Sequence, residues 1–148
     1  MKLIRLLYLL LFLPLLTQAQ LLTPKDTFTR ADTLRGMQTP LRTCYDINYY
    51  HLDVKFDIDR KFISGSTLFK FTAMQNFSRL QFDLFANLNI EKVLYKGKEL
   101  KYTREFNAVF LSFPQAIAKG SKDEFTVYYS GYPTVAKHAP WDGGIVFT

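Results

Sequence analysis

The sequence predicts an all-β fold, an antiparallel sandwich or saddle-like sheet, and three observations carry that prediction. Roughly seven or eight short runs alternate apolar and polar residues with the period of a strand. Turn residues separate these runs at regular intervals. No segment keeps helical spacing for three turns, which argues against alternating β and α units.

The first residues form a targeting pattern. Lys2 and Arg5 give a positive start, Leu6 to Leu16 an apolar run, and Thr17-Gln18-Ala19 a small-residue cleavage site, so residues 1–19 predict a cleavable signal peptide. The apolar run is shorter than the roughly 20 residues a spanning helix needs, and no stop-transfer pattern follows. The expectation is an exported protein (periplasmic, cell-surface or secreted) without a stable membrane span. Cleavage removes Lys2 and Arg5 and no acid, lowering the formal charge from +6 to +4.

Residues 20–43 carry Thr, Asp, Arg and two prolines with little periodicity, and read as a linker or surface arm. Residues 44–148 form the organised β domain. Its clearest strand places Tyr50, Leu52, Val54, Phe56 and Ile58 on one face, against His51, Asp53, Lys55 and Asp57 on the other. After the turn Asp59-Arg60-Lys61, a partner strand places Ile63, Thr67, Phe69 and Phe71 on one side, with Gly65 marking a bulge or close approach. Leu80, Phe82 and Leu84 alternate with Arg79, Gln81 and Asp83. Ile90 to Tyr95 leads through the tight turn Lys96-Gly97-Lys98 to Leu100–Thr103, and Val109, Leu111 and Phe113 form another short strand. Pro114 to Lys122 reads as a loop, and Glu124 to Ser130 returns as a strand with Phe125, Val127 and Tyr129 on one face.

The usual constellations of chemistry are missing from the sequence. His51 and His138 lie far apart, with no H-E-x-x-H and no C-x-x-C, so a zinc site is not expected in this chain. Ser64, Ser66 and Ser112 lack a G-x-S-x-G context. Asp53 and Asp57 share one strand face, the spacing of a solvated surface more than of a glycosidase pair. Cys44, the single cysteine, forms no internal disulfide and has no histidine near it in sequence to activate it. Asn76-Phe77-Ser78 matches a glycosylation sequon, a short motif. Lys92, Lys96, Lys98, Lys101, Arg104, Lys119 and Lys122 fall mostly in turn-like polar segments and read as solvated, not as a nucleic-acid surface.

The order of segments is nevertheless familiar. YDINYYHLDVKFD, ISGSTLFKFTA, FSRLQFDLFANLNIEKVLYKGKEL and VYYSGYPTVAKHAPWDGGIVF follow one another, and the whole resembles the N-terminal domain of the aminopeptidase N family of zinc metallopeptidases, particularly its exported bacterial members. The resemblance runs from about Cys44 to Thr148 and is sharpest at Tyr45-Asp46, Ser64-Gly65 and Pro140-Trp141-Asp142-Gly143-Gly144. It implies a saddle-shaped antiparallel sheet that packs on a thermolysin-like catalytic domain and walls one side of the peptide-substrate cavity. The family's zinc ligands and its G-x-M-E-N motif belong to that catalytic domain, so no catalytic, metal-binding or substrate-binding residue carries over. Zinc is expected only in the catalytic domain. A substrate-contacting Gln lies in a C-Q-G segment shortly after the W-D-G-G hairpin in bacterial relatives, and the sequence ends at Thr148 before any such segment, which reads as a truncation.

Trp141, Asp142, Gly143 and Gly144 are thus the structural turn nearest the family's cavity. Trp141 has two readings: a core aromatic that pins this turn to the sheet, or a residue packed on the catalytic domain. The leading expectation is a non-catalytic β domain of an exported zinc aminopeptidase. The alternative is a stand-alone β-sandwich binding module in which Tyr49, Tyr50, Tyr128, Tyr129, Tyr132 and Trp141 offer aromatic platforms to a glycan or a protein.

Overall fold

The computed structural model describes residues 27–139 and 141–148; the expected signal peptide and the first part of the arm lie outside the described residues. Eight strands follow two short helices: α1 (Arg30–Gly36), α2 (Pro40–Thr43), β1 (Tyr45–Asp57), β2 (Phe62–Ala73), β3 (Phe77–Asp83), β4 (Leu88–Tyr95), β5 (Lys98–Glu99), β6 (Tyr102–Glu105), β7 (Ala108–Ile117) and β8 (Lys122–Gly131). A five-stranded sheet runs β1-β2-β8-β4-β5 and a three-stranded sheet runs β3-β7-β6. Every strand pair is antiparallel. The all-β expectation holds, as two sheets sharing one core. Among the described residues no helix is long and apolar enough to cross a membrane.

The core forms where the alternating faces of the two sheets meet. Phe71, Phe125, Val127 and Val93 from the larger sheet lie against Leu80, Phe82, Val109, Leu111 and Phe113 from the smaller one. Phe69 stacks on Phe125 with ring centroids 4.7 Å apart, and Tyr95 meets Phe113 edge-on at 5.0 Å. Each fully buried Leu, Val or Phe contributes about 1.5–3 kcal/mol relative to exposure, so this cluster dominates the stability of a chain without a disulfide.

The turns follow local chemistry. Lys96 and Gly97 both have positive φ, the mirror-image turn whose twist suits two antiparallel strands. Gly65 marks a close approach: a Cβ there would lie 2.0 Å from the Asp53 carbonyl oxygen across the β1–β2 ladder. The register stays continuous at that point, so no bulge forms.

Three expectations need correction. The alternation of β1 is right, but Tyr50, Leu52, Phe56 and Ile58 are exposed, Leu52 by 62%. Tyr45 and Ile47 at the start of β1 pack on the core and Val54 on the cluster around Ile63, but no described element covers the other inward positions of β1. The sequence pattern places Pro114 in a loop, yet β7 runs through it to Ile117. Proline is tolerated because β7 bulges there: Ser112 to Ile117 spans the same ladder as Arg79 to Phe77, so no ladder N–H is demanded of it.

The arm, finally, is more ordered than its weak periodicity predicts. Thr29 and Asp32 form a reciprocal capping box that starts α1. Leu34 buries against Ala108 and Phe110 on the outward face of β7. Arg42 binds the Asp83 carboxylate at 2.5 Å, and Arg30 pairs with Glu105 at 3.0 Å.

Candidate functional site

The segment after β8 folds back on itself between Thr134 and Ile145. The Ile145 N–H donates to the Thr134 carbonyl at 2.8 Å and the Ala136 N–H to the Ile145 carbonyl at 3.2 Å, closing a loop with parallel ends. Gly144 makes the closure possible: its φ is +138°, and a Cβ there would sit 2.7 Å from both the Ala136 nitrogen and the Thr134 oxygen. Nothing approaches Gly143 within 4 Å of where a Cβ would stand.

Asp142 organises the loop from within. Its carboxylate accepts the Lys137 N–H at 2.6 Å and the His138 N–H at 2.8 Å, while the Trp141 N–H donates to the His138 carbonyl at 2.8 Å. Desolvation pushes the Asp142 carboxyl up, but these backbone donors outweigh it and hold the group below the ordinary carboxylate value. Trp141 stands at the tip of this pinned loop, 89% exposed. The structure therefore overturns the reading of Trp141 as a core aromatic.

Beyond the loop, Ile145 and Phe147 pack over Ile63, Leu88 and Tyr129 at the open end of the larger sheet. Between them and the β3–β4 connection lies a groove of about 540 Å³, lined by Ile63, Phe85, Leu88, Pro133, Gly144 and Ile145, with Asn87 and Thr134 as its polar side chains. Asn87 is itself engaged, donating to the Tyr132 carbonyl at 2.7 Å.

Arg104 holds the far wall. Its guanidinium donates to the carbonyls of Leu84 at 2.6 Å, Phe85 at 2.5 Å, Leu88 at 2.7 Å and Phe106 at 3.2 Å. Burial pushes this group below its usual value. Arg104 is thus not one of the solvated turn charges expected from sequence. Apart from Phe106, its partners are backbone carbonyls 16 to 20 residues away, and composition carries no signal for such a clamp.

What gathers around the loop can shape a surface and seat an apolar group; among the described residues no three His, Cys, Asp or Glu side chains converge as a metal site would require. The remaining singled-out residues lie elsewhere. Asp53 and Asp57 register with Ser66 and Phe62, on the face turned away from the core, and Asp57 caps its own hairpin by accepting the Arg60 N–H at 3.0 Å. Tyr49 and Tyr128 share that outward face while Tyr50 and Tyr129 point inward, and Tyr129 is buried. Tyr132 packs on Phe62 at 5.1 Å. These aromatics form no common platform.

No protein-family model matches the chain, and no curated protein matches it in sequence. Solved structures do match its fold. A two-domain M1 zinc metallopeptidase mutant bound to L-arginine superposes with a TM-score of 0.57 at 17% identity, over 67% of this chain and 23% of that one. A Deinococcus radiodurans M1 zinc metallopeptidase mutant bound to a Tyr-Ser-Ala substrate gives 0.57 at 18% identity, over 64% and 22%. The same organism's M1 zinc metallopeptidase gives 0.53 at 18%, over 61% and 21%. The matched region spans less than a quarter of these proteins. The fold of this chain is that of the N-terminal β domain of M1 zinc metallopeptidases.

Proposed function

We propose that this chain is the non-catalytic β domain of an exported zinc metallo-aminopeptidase, an enzyme that removes N-terminal residues from peptides, and that it walls the substrate cavity. The observation that carries the reading is the loop at Trp141-Asp142-Gly143-Gly144. A fold shared with M1 metallopeptidases carries a turn that the Asp142 carboxylate hydrogen-bonds together and that holds the chain's one tryptophan in solvent. An amphipathic aromatic held out on an ordered loop is the kind of side chain that anchors an interface.

Two further features support the reading. Tyr50, Leu52 and Phe56 on the inward face of β1, with Ile58 in the turn after it, leave an exposed apolar strip, which a further region of the same protein would bury. Export rests on Lys2, Arg5, the apolar run Leu6–Leu16 and the Thr17-Gln18-Ala19 site. Zinc does not fit the described residues of this chain, so no catalytic step is assigned to them. In the proposal the metal, its water and the general base belong to the catalytic domain.

The test is a peptidase assay on two proteins, this chain and the product of the complete reading frame. The reading expects release of N-terminal residues from an aminoacyl p-nitroanilide by the complete product only, abolished by a zinc chelator and restored by zinc. A complete product with no chelator-sensitive peptidase activity overturns it.

A further inference from the structure

A second large concavity lies between the β4–β5 hairpin and the far half of β7, away from the Trp141 loop, with a volume of about 710 Å³. Its floor is apolar, with Leu100 and Ile117 buried in it. Its rim is basic: Lys96, Lys98, Lys101 and Lys122 surround it, against the carboxylates of Glu99 and Asp123. Asp123 is already engaged, accepting the Tyr95 hydroxyl at 2.6 Å and lying 3.1 Å from the Lys96 ammonium. Lys98, Lys101 and Lys122 have no ion-pair partner among the described residues.

One wall of the groove is an open strand edge. The β6–β7 ladder ends at Tyr102 opposite Leu111, with a last contact from the Ser112 N–H to the Lys101 carbonyl at 3.2 Å. On its other side, the bulge takes Phe113 to Ala116 out of register with β3. Gln115 and Ala116 therefore line the groove with backbone that no described strand pairs. Unpaired strand edges recruit extended chains.

We propose that this groove binds an extended acidic peptide segment of a partner protein, which pairs with the β7 edge at Gln115 and Ala116 while its carboxylates meet Lys98, Lys101 and Lys122. Backbone pairing would supply affinity and the lysine rim the selectivity for acidic side chains. Edge and rim together favour a peptide over a flat anionic surface, which needs only the charge. The inference does not depend on the peptidase reading.

The probe is a fluorescein-labelled peptide in which glutamate alternates with valine, titrated with the full chain and followed by fluorescence anisotropy. Saturable binding is expected, weakened at least about tenfold by combining Lys98→Glu with Lys122→Glu and by a similar factor on N-methylating alternate peptide bonds of the probe. Circular dichroism confirms that the variants stay folded, and Lys101→Glu alone provides a milder second variant. Equal affinity for an alternating lysine–valine peptide, or indifference to N-methylation, overturns the proposal. Binding to phosphatidylserine vesicles that the acidic peptide cannot displace overturns it in favour of a membrane surface.

Discussion

The buried side-chain amide of Gln81 donates to the backbone carbonyl of Leu34 at 3.0 Å, tying β3 to α1 across 47 residues of chain. The backbone carbonyl of Gln81 accepts the Tyr45 hydroxyl at 2.6 Å. Gln81→Ala removes the amide and opens a void under α1, so it is expected to cost about 2–3 kcal/mol in urea denaturation. Gln81→Leu should cost less, because Arg42 also donates to the Leu34 carbonyl, at 2.6 Å, and keeps it satisfied.

Arg104 should be irreplaceable by another cation. Lysine keeps the charge but cannot spread donors over four carbonyls, so Arg104→Lys is expected to cost about 2 kcal/mol and to speed amide hydrogen exchange in the Phe85–Leu88 segment. Unchanged exchange there would show that the clamp does not order the groove wall.

Two glycines should respond differently to the same change. Gly65→Ala drives a methyl into the Asp53 carbonyl and is expected to cost at least about 3 kcal/mol. Gly97→Ala meets no atom within 4 Å and pays only for its φ of +74°, about 1 kcal/mol. Thermal melts of the two variants compare the costs directly.

The Asp142 hydrogen bonds predict an acid transition local to the Trp141 loop. A carboxylate whose folded pKa is depressed stabilises the fold above its unfolded value, near 4, and loses that contribution as pH falls through the folded value. Trp141 is the only tryptophan, so its fluorescence anisotropy should fall below about pH 4, and Asp142→Ala should lower it at neutral pH. Acrylamide should quench Trp141 freely in this chain.

Cys44 should be inert while the protein is folded. It is 1% exposed, its thiol donates to the Leu41 carbonyl at 3.4 Å, and burial pushes it up to about 11. A disulfide reagent at pH 8 is expected to leave it unmodified in buffer and to label it in urea. Prompt labelling in buffer would show that this part of the core opens.

Local pattern revealed the strands and long-range contact decided their surroundings. Phe125, Val127 and Tyr129 alternate and are buried as alternation predicts, because β8 is a central strand covered by the second sheet. Leu52 and Phe56 alternate equally well on an edge strand, at positions that no described element covers. Alternation puts Gln81 on a polar face, and it is buried because α1 lies over it. At the loop, Asp142 and Gly144 were recognisable as turn residues, whereas the solvent position of Trp141 depends on how Thr134 and Ile145 meet.

The central claim is that this β domain belongs to a zinc aminopeptidase, and the nucleotide sequence beyond the codon for Thr148 tests it most directly. The account predicts an open frame that soon encodes C-Q-G, then G-x-M-E-N and H-E-x-x-H. A stop codon at that point followed by an unrelated gene would contradict it.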